Sequence, residues 1–422
     1  MGYVYEKRVQ VNKKSIYVLL TILVAVELFV FTPIMQPFST RIAPWTLIIS
    51  CEITFLGYFF LSSTSRAYYW DRFRRYFAPA GGIGRWSAGL IGALYLWAAV
   101  SLIWIYPSLS GLREISITLA MLFSIIVLSN GIERIDIHLL GKLFTLGLYL
   151  GCIFLYFAAE NSEFIRFYFD EDFQFFDHNR NVVAMVMVLF VVFCIKPQTL
   201  RYKVFIFGAF ALTVWTIIVS QSEIAKLALV TGAFAATLVF FAPASRTLVF
   251  ISLAVVFFIM PVMPGLIEIA VNWLPQGFAE QAHAVHRLEI WKAYSSLIYQ
   301  KPLFGWGMNS DEFIGLSGIL GAEMIKIGLP PDFVSPHNFA LEIWVNLGVI
   351  GATLFSGIIC MGYFMSRNGN IIFQSASTGS AVAVFTVALG GSSFFQGWLL
   401  ASMVLSMVIY MTFHRHMTNS SK

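Results

Sequence analysis

The sequence predicts an all-α polytopic membrane protein with about twelve transmembrane helices and one long extramembrane loop. Three observations predict it. The 422-residue chain is 58% hydrophobic and only 12% charged, with a mean hydropathy of +0.77, far from the balance of a soluble domain. Apolar runs of about 20 residues recur along it, each long enough to cross a bilayer as a helix. Basic residues fall in alternate short loops, as membrane topology requires.

The expected spans lie near 16–34, 44–63, 86–106, 112–130, 138–158, 181–196, 202–219, 224–242, 246–263, 337–365, 379–395 and 397–413. The chain then divides into three parts: helices 1–9 over 1–263, a loop over 264–336 with a helix near 277–300, and helices 10–12 with a tail over 337–422. Lys7, Arg8, Lys13 and Lys14 precede the first span, and Arg66, Arg72, Arg74, Arg75 and Arg85 lie between the second and third. Lys196, Arg201, Lys203, Arg246 and Arg367 mark later loops, and Arg415 and Lys422 close the chain. With twelve spans all of these share one side. The positive-inside rule makes that side the cytoplasm and puts both termini there.

Two segments on the other side stand out. In 159–180 acids alternate with aromatics, from Glu160 and Phe164 to Asp177 and Arg180, which suits a segment lying at headgroup level. The 264–336 segment is the one long loop, and loops of that length are usually functional.

Several classes of function are disfavoured. The net charge of +5 sits in topology-setting loops and does not indicate nucleic-acid binding. Cys51, Cys152, Cys194 and Cys360 all fall inside apolar spans, so no disulfide framework is expected. No Cys/His cluster has metal-site spacing. The basic then apolar N-terminus reads as an uncleaved span rather than a signal peptide, because its run is long and lacks a small-residue cleavage site.

Candidate chemistry gathers where the long loop meets the tenth span. Ser335 is a good helix N-cap and Pro336 fits the first helical position. That puts His337 in a first turn, where the helix dipole disfavours imidazolium and free N–H groups favour an anion. The alternative is a His that only caps the helix. In the loop, Arg287 and Trp291 share a helix face one turn apart. The Arg287 fork suits phosphate oxygens, or else pairs with Glu289 or lipid headgroups. The Gly305-Trp306-Gly307 turn permits close backbone approach. Arg180 opens the sixth span and Lys226 lies one turn into the eighth, on the same face as Glu223. Ionisable groups there are costly and face a cavity or each other, and a structural Glu223–Lys226 pair is the plain alternative. Glu27 and Glu52 lie inside the first two spans, either protonated or paired across helices.

The run Arg287…Trp291…Pro302…Gly305-Trp306-Gly307…His337-Asn338…Gly348…Gly351 resembles the signature region of the bacterial O-antigen ligase and O-antigen polymerase family, over about 285–352. Upstream, Ser220-Gln221-Ser222-Glu223-Ile224-Ala225-Lys226 is similar to the family's Ser-Arg-x-Ala helix start, with Glu223 where the family often has Arg. Lys226 or Arg180 would then supply that charge. The resemblance implies a lipid-donor (GT-C-like) membrane glycosyltransferase working on the periplasmic face of the bacterial inner membrane. It would use no cofactor, metal or nucleotide sugar.

The implied donor is a glycan on undecaprenyl diphosphate. The acceptor is a lipid A-core hydroxyl in ligases, or another lipid-linked repeat in polymerases. His337 would be the catalytic base. Arg287 with Arg180 and Lys226 would bind the diphosphate, and Asn338, Trp291, Gly305 and Gly307 would support them. The partners are thus lipid-linked donor, acceptor and membrane lipids. Two other classes compete. A transporter of lipid-linked oligosaccharide needs polar residues along a whole path through the bilayer. A structural scaffold of the envelope tolerates loss of His337.

Overall fold

A computed structural model describes residues 16, 18–38, 42–61, 83–104, 109–132, 135–168, 177–271, 273, 284–310, 336–367, 369–390 and 397–419. The described residues form helices and turns, with no strand among them. In chain order these are α1 (Val18–Met35), α2 (Ile42–Leu61), α3 (Ile83–Ser101), α4 (Leu109–Ile132), α5 (Ile137–Glu160), α6 (Ser162–Tyr168), α7 (Asp177–Leu189, continued as a 3₁₀ turn over Phe190–Cys194), α8 (Leu200–Val219), α9 (Glu223–Phe241) and α10 (Ser245–Phe258). Then come α11 (Met263–Val271), α12 (Ala284–Gln300), α13 (Phe339–Arg367), α14 (Ile371–Gly390) and α15 (Gly397–Asn419).

Seven of these helices are long and apolar enough to cross a membrane, eight if the bent pair α10–α11 counts as one span, and four shorter apolar helices accompany them. The protein is therefore a multi-pass membrane protein. Helices fall on every apolar segment expected. The basic loops at 1–15 and 62–82 lie outside the described residues, as do Ser335 and the stretch 169–176.

Three boundaries need correction. The helix expected over 379–395 begins at Ile371 and is described as far as Gly390, with 391–396 outside the described residues. Gln374-Ser375, just after its apolar first residues, depresses the local hydropathy, yet Asn370 Oδ1 caps the helix by accepting from Phe373 N (2.9 Å). The segment expected as a loop from 264 opens with a helix, α11, bent by 99° from α10. Tyr299 Oη donates to Pro261 O (3.0 Å) and Lys292 pairs with Glu268 (2.5 Å), so α11 is held against α12.

The third correction concerns α13, expected as one continuous span. Gly348 has φ 62° and ψ −162°, and breaks it into two pieces. From 339 to 355 is sixteen residues, which a straight helix would spread over about 24 Å. The Phe339 and Phe355 ring centroids are 5.6 Å apart, so the piece Phe339–Leu347 is folded back over Val349–Arg367.

The break frees backbone carbonyls, and the Gly-x-Gly turn takes them. Trp306 N donates to Val345 O (2.7 Å) and Gly307 N to Asn346 O (2.9 Å), while Val349 N donates to Pro302 O (2.8 Å). Trp97 Nε1 reaches Leu347 O (2.9 Å). Gly305 and Gly348 touch backbone to backbone. A Cβ on Gly305 would lie 2.5 Å from Asn346 O, and one on Gly348 2.4 Å from Leu303 O. Both have positive φ. Gly305→Ala and Gly348→Ala therefore combine a clash with left-handed strain. Each is expected to lower stability by more than about 2 kcal/mol, read as a thermal-melting shift of the detergent-purified protein. An unchanged melting curve would show the contact to be dispensable.

The remaining helices pack conventionally. α9 and α14 cross at Gly232 and Gly379, where either Cβ would lie within 2.9 Å of the other's carbonyl oxygen. Thr231 and Thr386 share a hydroxyl hydrogen bond beside the crossing (2.9 Å). Glu27 in α1 accepts from Ser50 Oγ of α2 (3.0 Å), which gives that intramembrane carboxyl its partner on another helix. α6 exposes Phe164, Phe167 and Tyr168, as an interfacial anchor would.

Candidate active site

The site forms where α12 clamps the start of α13 to the end of α14. Arg287 and Trp291, one turn apart on α12, reach two different elements. Arg287 Nη1 donates to Gly390 O at the C-terminus of α14 (2.5 Å). Trp291 Nε1 donates to Pro336 O (3.0 Å), fixing the peptide that leads into His337. Beneath them Ile290, Tyr294, Leu297 and Ile298 are buried against Phe339, Ala340 and Ile343. The orientation of both polar groups thus rests on a packed apolar base. Arg287 does not project as a surface cation. Its burial lowers its pKa from the ordinary value, so its charge sits in a partly desolvated setting.

The helix start differs from the expectation built on Ser335. The N-cap is Asn338, whose Oδ1 accepts from Ala340 N (3.0 Å) and Leu341 N (3.1 Å). His337 therefore precedes the cap instead of sitting in the first turn. Its φ of 47° is in the left-handed region, where a non-glycine residue is uncommon and costs about 1–3 kcal/mol. The His337 pKa lies below the usual imidazole value, first because of burial and then because of the Arg287 charge. The helix dipole is not needed to keep it neutral.

The other expected residues are distributed around this pair. Ile224, at the start of α9, meets Gly390: a Cβ there would lie 2.6 Å from Ile224 Cδ1 and 3.8 Å from Arg287 Nη1. Lys226, two positions on and so roughly 200° around the helix, is ion-paired with Glu223 (2.9 Å). The Glu223–Lys226 pair weighed in the sequence is therefore present. The Arg180 guanidinium lies over the Trp398 ring at the start of α15, 6.0 Å from its centroid. Gly305 and Gly307 lie at the far end of the folded-back piece of α13, where they hold its break.

Sequence reasoning passed over Glu342 and Asn346, which follow Asn338 at helical spacing; Asn338, Glu342 and Asn346 are 0%, 1% and 0% exposed. They make a polar stripe inside an apolar run. Asn346 Oδ1 accepts from Ser310 N (2.9 Å) and Ser310 Oγ (2.8 Å), tying the loop to the fold-back. The i, i+4, i+8 spacing of polar residues within a hydrophobic segment was the readable signal.

Residues 208–356 match the sequence profile of the family described as O-antigen ligase. The matched stretch runs from α8 into the second piece of α13 and contains Arg287, Gly305, His337 and Gly348. Over that stretch, about a third of the chain, the protein is similar to the O-antigen ligase family. Its relatives agree. It is 30% identical over 138 residues to a Rickettsia felis protein provisionally named polysaccharide ligase, covering 31% of this chain and 32% of that protein. A Rickettsia conorii protein with the same provisional name is 28% identical over 182 residues, 40% of this chain and 41% of the relative. A Rickettsia bellii counterpart is 22% identical over 325 residues, 74% of this chain and 77% of the relative. With the first two, the match spans less than half of either protein. Within the matched stretch, the Arg287–Trp291–His337 assembly and the Gly305–Gly348 crossing are separate features. The first gathers the candidate polar groups, and the second shapes the backbone that carries them.

Proposed function

We infer that this protein is an O-antigen ligase that transfers a glycan from undecaprenyl diphosphate to a hydroxyl of lipid A core, by a metal-independent, inverting displacement. It sits in the bacterial inner membrane with twelve crossing helices, a lipid-donor glycosyltransferase architecture and its site on the periplasmic face. The observation that carries this reading is the pairing of Arg287 with His337. A fixed cation beside a neutral, half-buried imidazole is what a reaction with a diphosphate leaving group and a hydroxyl nucleophile needs.

In that reaction His337 takes the proton from the acceptor hydroxyl. The oxygen attacks the anomeric carbon as its bond to the diphosphate oxygen breaks. Arg287 stabilises the charge that builds on the leaving group, and Arg180 is the second cation. Lys226, paired with Glu223, would have to exchange partners to contribute. The polymerase reading shares this donor chemistry, and the relatives' provisional name favours the ligase. A transport reading fits less well, because Arg180, Arg287 and His337 gather at one end of the helices.

The experiment is deletion of the gene followed by gel analysis of lipopolysaccharide. Loss of all long chains from the core, with lipid-linked polymer accumulating, is the expected result. Core carrying a single repeat would identify a polymerase instead.

Orientation has its own test. Leu303 and Phe304 are 58% and 54% exposed and Leu200 is 75% exposed, whereas Cys51, Cys152 and Cys194 are buried and give little background. Cysteine at 303 or 304 should react with an impermeant reagent from the periplasm, and cysteine at 200 only after the membrane is opened. The reverse pattern would invert the topology.

A further inference from the structure

α11 presents two faces. Toward the protein, Pro264 is buried and Ile267 half-buried, and Met263 packs against the cluster that holds Ile290, Tyr294 and Leu297 of α12. On the other side Leu266 and Ile269 are 51% and 60% exposed, with Val262 just before the helix at 55% and Trp273 just after it at 86%. These four follow at i, i+4, i+7 and i+11, the spacing of one apolar helix face. Three observations bear on what covers that face. The first is continuity. α10 exposes Leu248, Ile251, Val255 and Phe258, and this stripe of a spanning helix passes through Val262 onto α11 without a break. The second is direction. α11 is bent 99° from α10, so it runs across the axis of a span and along the plane of the membrane. The third is level. α10 has 14 residues, a rise of about 21 Å, against a hydrocarbon core of about 30 Å. Phe257, near its end, stacks on Phe355 (4.9 Å between centroids), and Phe355 lies about 9 Å along the second piece of α13 from Val349. Both measures put the corner between α10 and α11 about 9 Å short of a full crossing.

We propose that α11 is an in-plane helix sunk into the leaflet on the side of Arg287, with its Val262–Trp273 face against the upper acyl chains of the bilayer. The partner is lipid, at the boundary between headgroups and hydrocarbon, where amphipathic in-plane helices lie. The charges suit that seat. Glu268 pairs with Lys292 of α12, so neither is left alone at a depth where an isolated charge is costly. The seat has a consequence for the site. Tyr299 bonds to Pro261 O, and Lys292 pairs with Glu268. The same spacing in reversed order along the two helices makes them antiparallel neighbours. The leaflet that holds α11 therefore sets the level of α12, the helix that carries Arg287 and Trp291. The inference rests on the multi-pass topology and not on the reaction proposed above.

Two measurements test this. In the first, wild-type protein is placed in vesicles of phosphatidylethanolamine and phosphatidylglycerol and irradiated with a trace of photoreactive phospholipid. A diazirine near the carbonyl end of the acyl chain should label the 262–273 stretch. A diazirine at the terminal methyl should label it far less than it labels α8 and α9 around Phe207 and Phe234, which are exposed within their spans. A water-soluble diazirine should label it little. Labelling chiefly from water would put α11 above the membrane and overturn the proposal. Protection from all three probes would do the same, since it would mean a cover of protein, from a second copy or from another part of this chain. In the second, a spin label is attached to Leu266→Cys or Ile269→Cys in a Cys360→Ala background. Each label should collide with oxygen more often than with an aqueous nickel complex, at a depth of about 5–10 Å below the phosphates. Collisions dominated by nickel at both positions would contradict the proposal. Val262→Cys gives the same reading if either variant folds poorly.

Discussion

His337→Asn is expected to lower the maximal transfer rate by about 10²–10⁴-fold while leaving donor binding nearly intact. Asparagine is the informative replacement because position 337 has φ 47°. Asn tolerates the left-handed region, whereas Ala there adds about 1–2 kcal/mol of backbone strain and confuses folding with chemistry. His337→Gln reports on reach, since it keeps a hydrogen-bonding group without a usable base. The pH profile supplies an independent reading. Burial and then Arg287 hold the His337 pKa below its usual value, so wild-type activity should rise through a pKa under about 6.5 and stay level above it. In His337→Asn that limb should vanish. A near-normal maximal rate with a raised half-saturation concentration would make His337 a binding residue and not the base.

Arg287→Ala is expected to cost about 10²–10³-fold, the usual scale for one group that stabilises developing charge in a partly desolvated site. Arg287→Lys should recover only part of it, because an ammonium cannot both donate to Gly390 O and present a planar fork to diphosphate oxygens. The acid limb should respond too. Removing the charge takes away the second cause of the depressed His337 pKa and leaves burial as the first. The limb should therefore move to higher pH in Arg287→Ala and stay nearer its place in Arg287→Lys. Wild-type turnover by stably expressed Arg287→Ala protein would remove this residue from the site.

Much of this architecture was legible because membrane helices announce themselves by length and hydropathy. The spans expected at 138–158, 202–219 and 224–242 lie within a few residues of α5, α8 and α9. Capping explains much of that agreement, with Asp136, Thr199 and Ser222 each accepting a hydrogen bond at a helix start. What the pattern hid was backbone geometry. Gly348 sits in an apolar run that reads as continuous helix, and only its positive φ and its contact with Gly305 show the fold-back. The same hydropathy weighting missed the start of α14.

At the site, Arg287, Trp291 and His337 were recognisable as residue types. Their assembly depends on contacts between positions far apart in the chain, Arg287 with Gly390 and Trp291 with Pro336. No local pattern carries these. Glu342 and Asn346 show the converse, since their spacing was readable but gave no hint of the loop residue, Ser310, that Asn346 holds.

The central claim is that the Arg287–His337 site cleaves the bond between glycan and lipid diphosphate in favour of an acceptor hydroxyl. The most direct measurement reconstitutes the purified protein in vesicles with defined lipid-linked donor and acceptor, and follows released polyprenyl diphosphate and glycosylated acceptor together. One diphosphate released per glycan transferred, abolished by His337→Asn, is the predicted result. Donor that crosses the bilayer intact with no diphosphate released, or transfer that proceeds at the wild-type rate in His337→Asn, would contradict it.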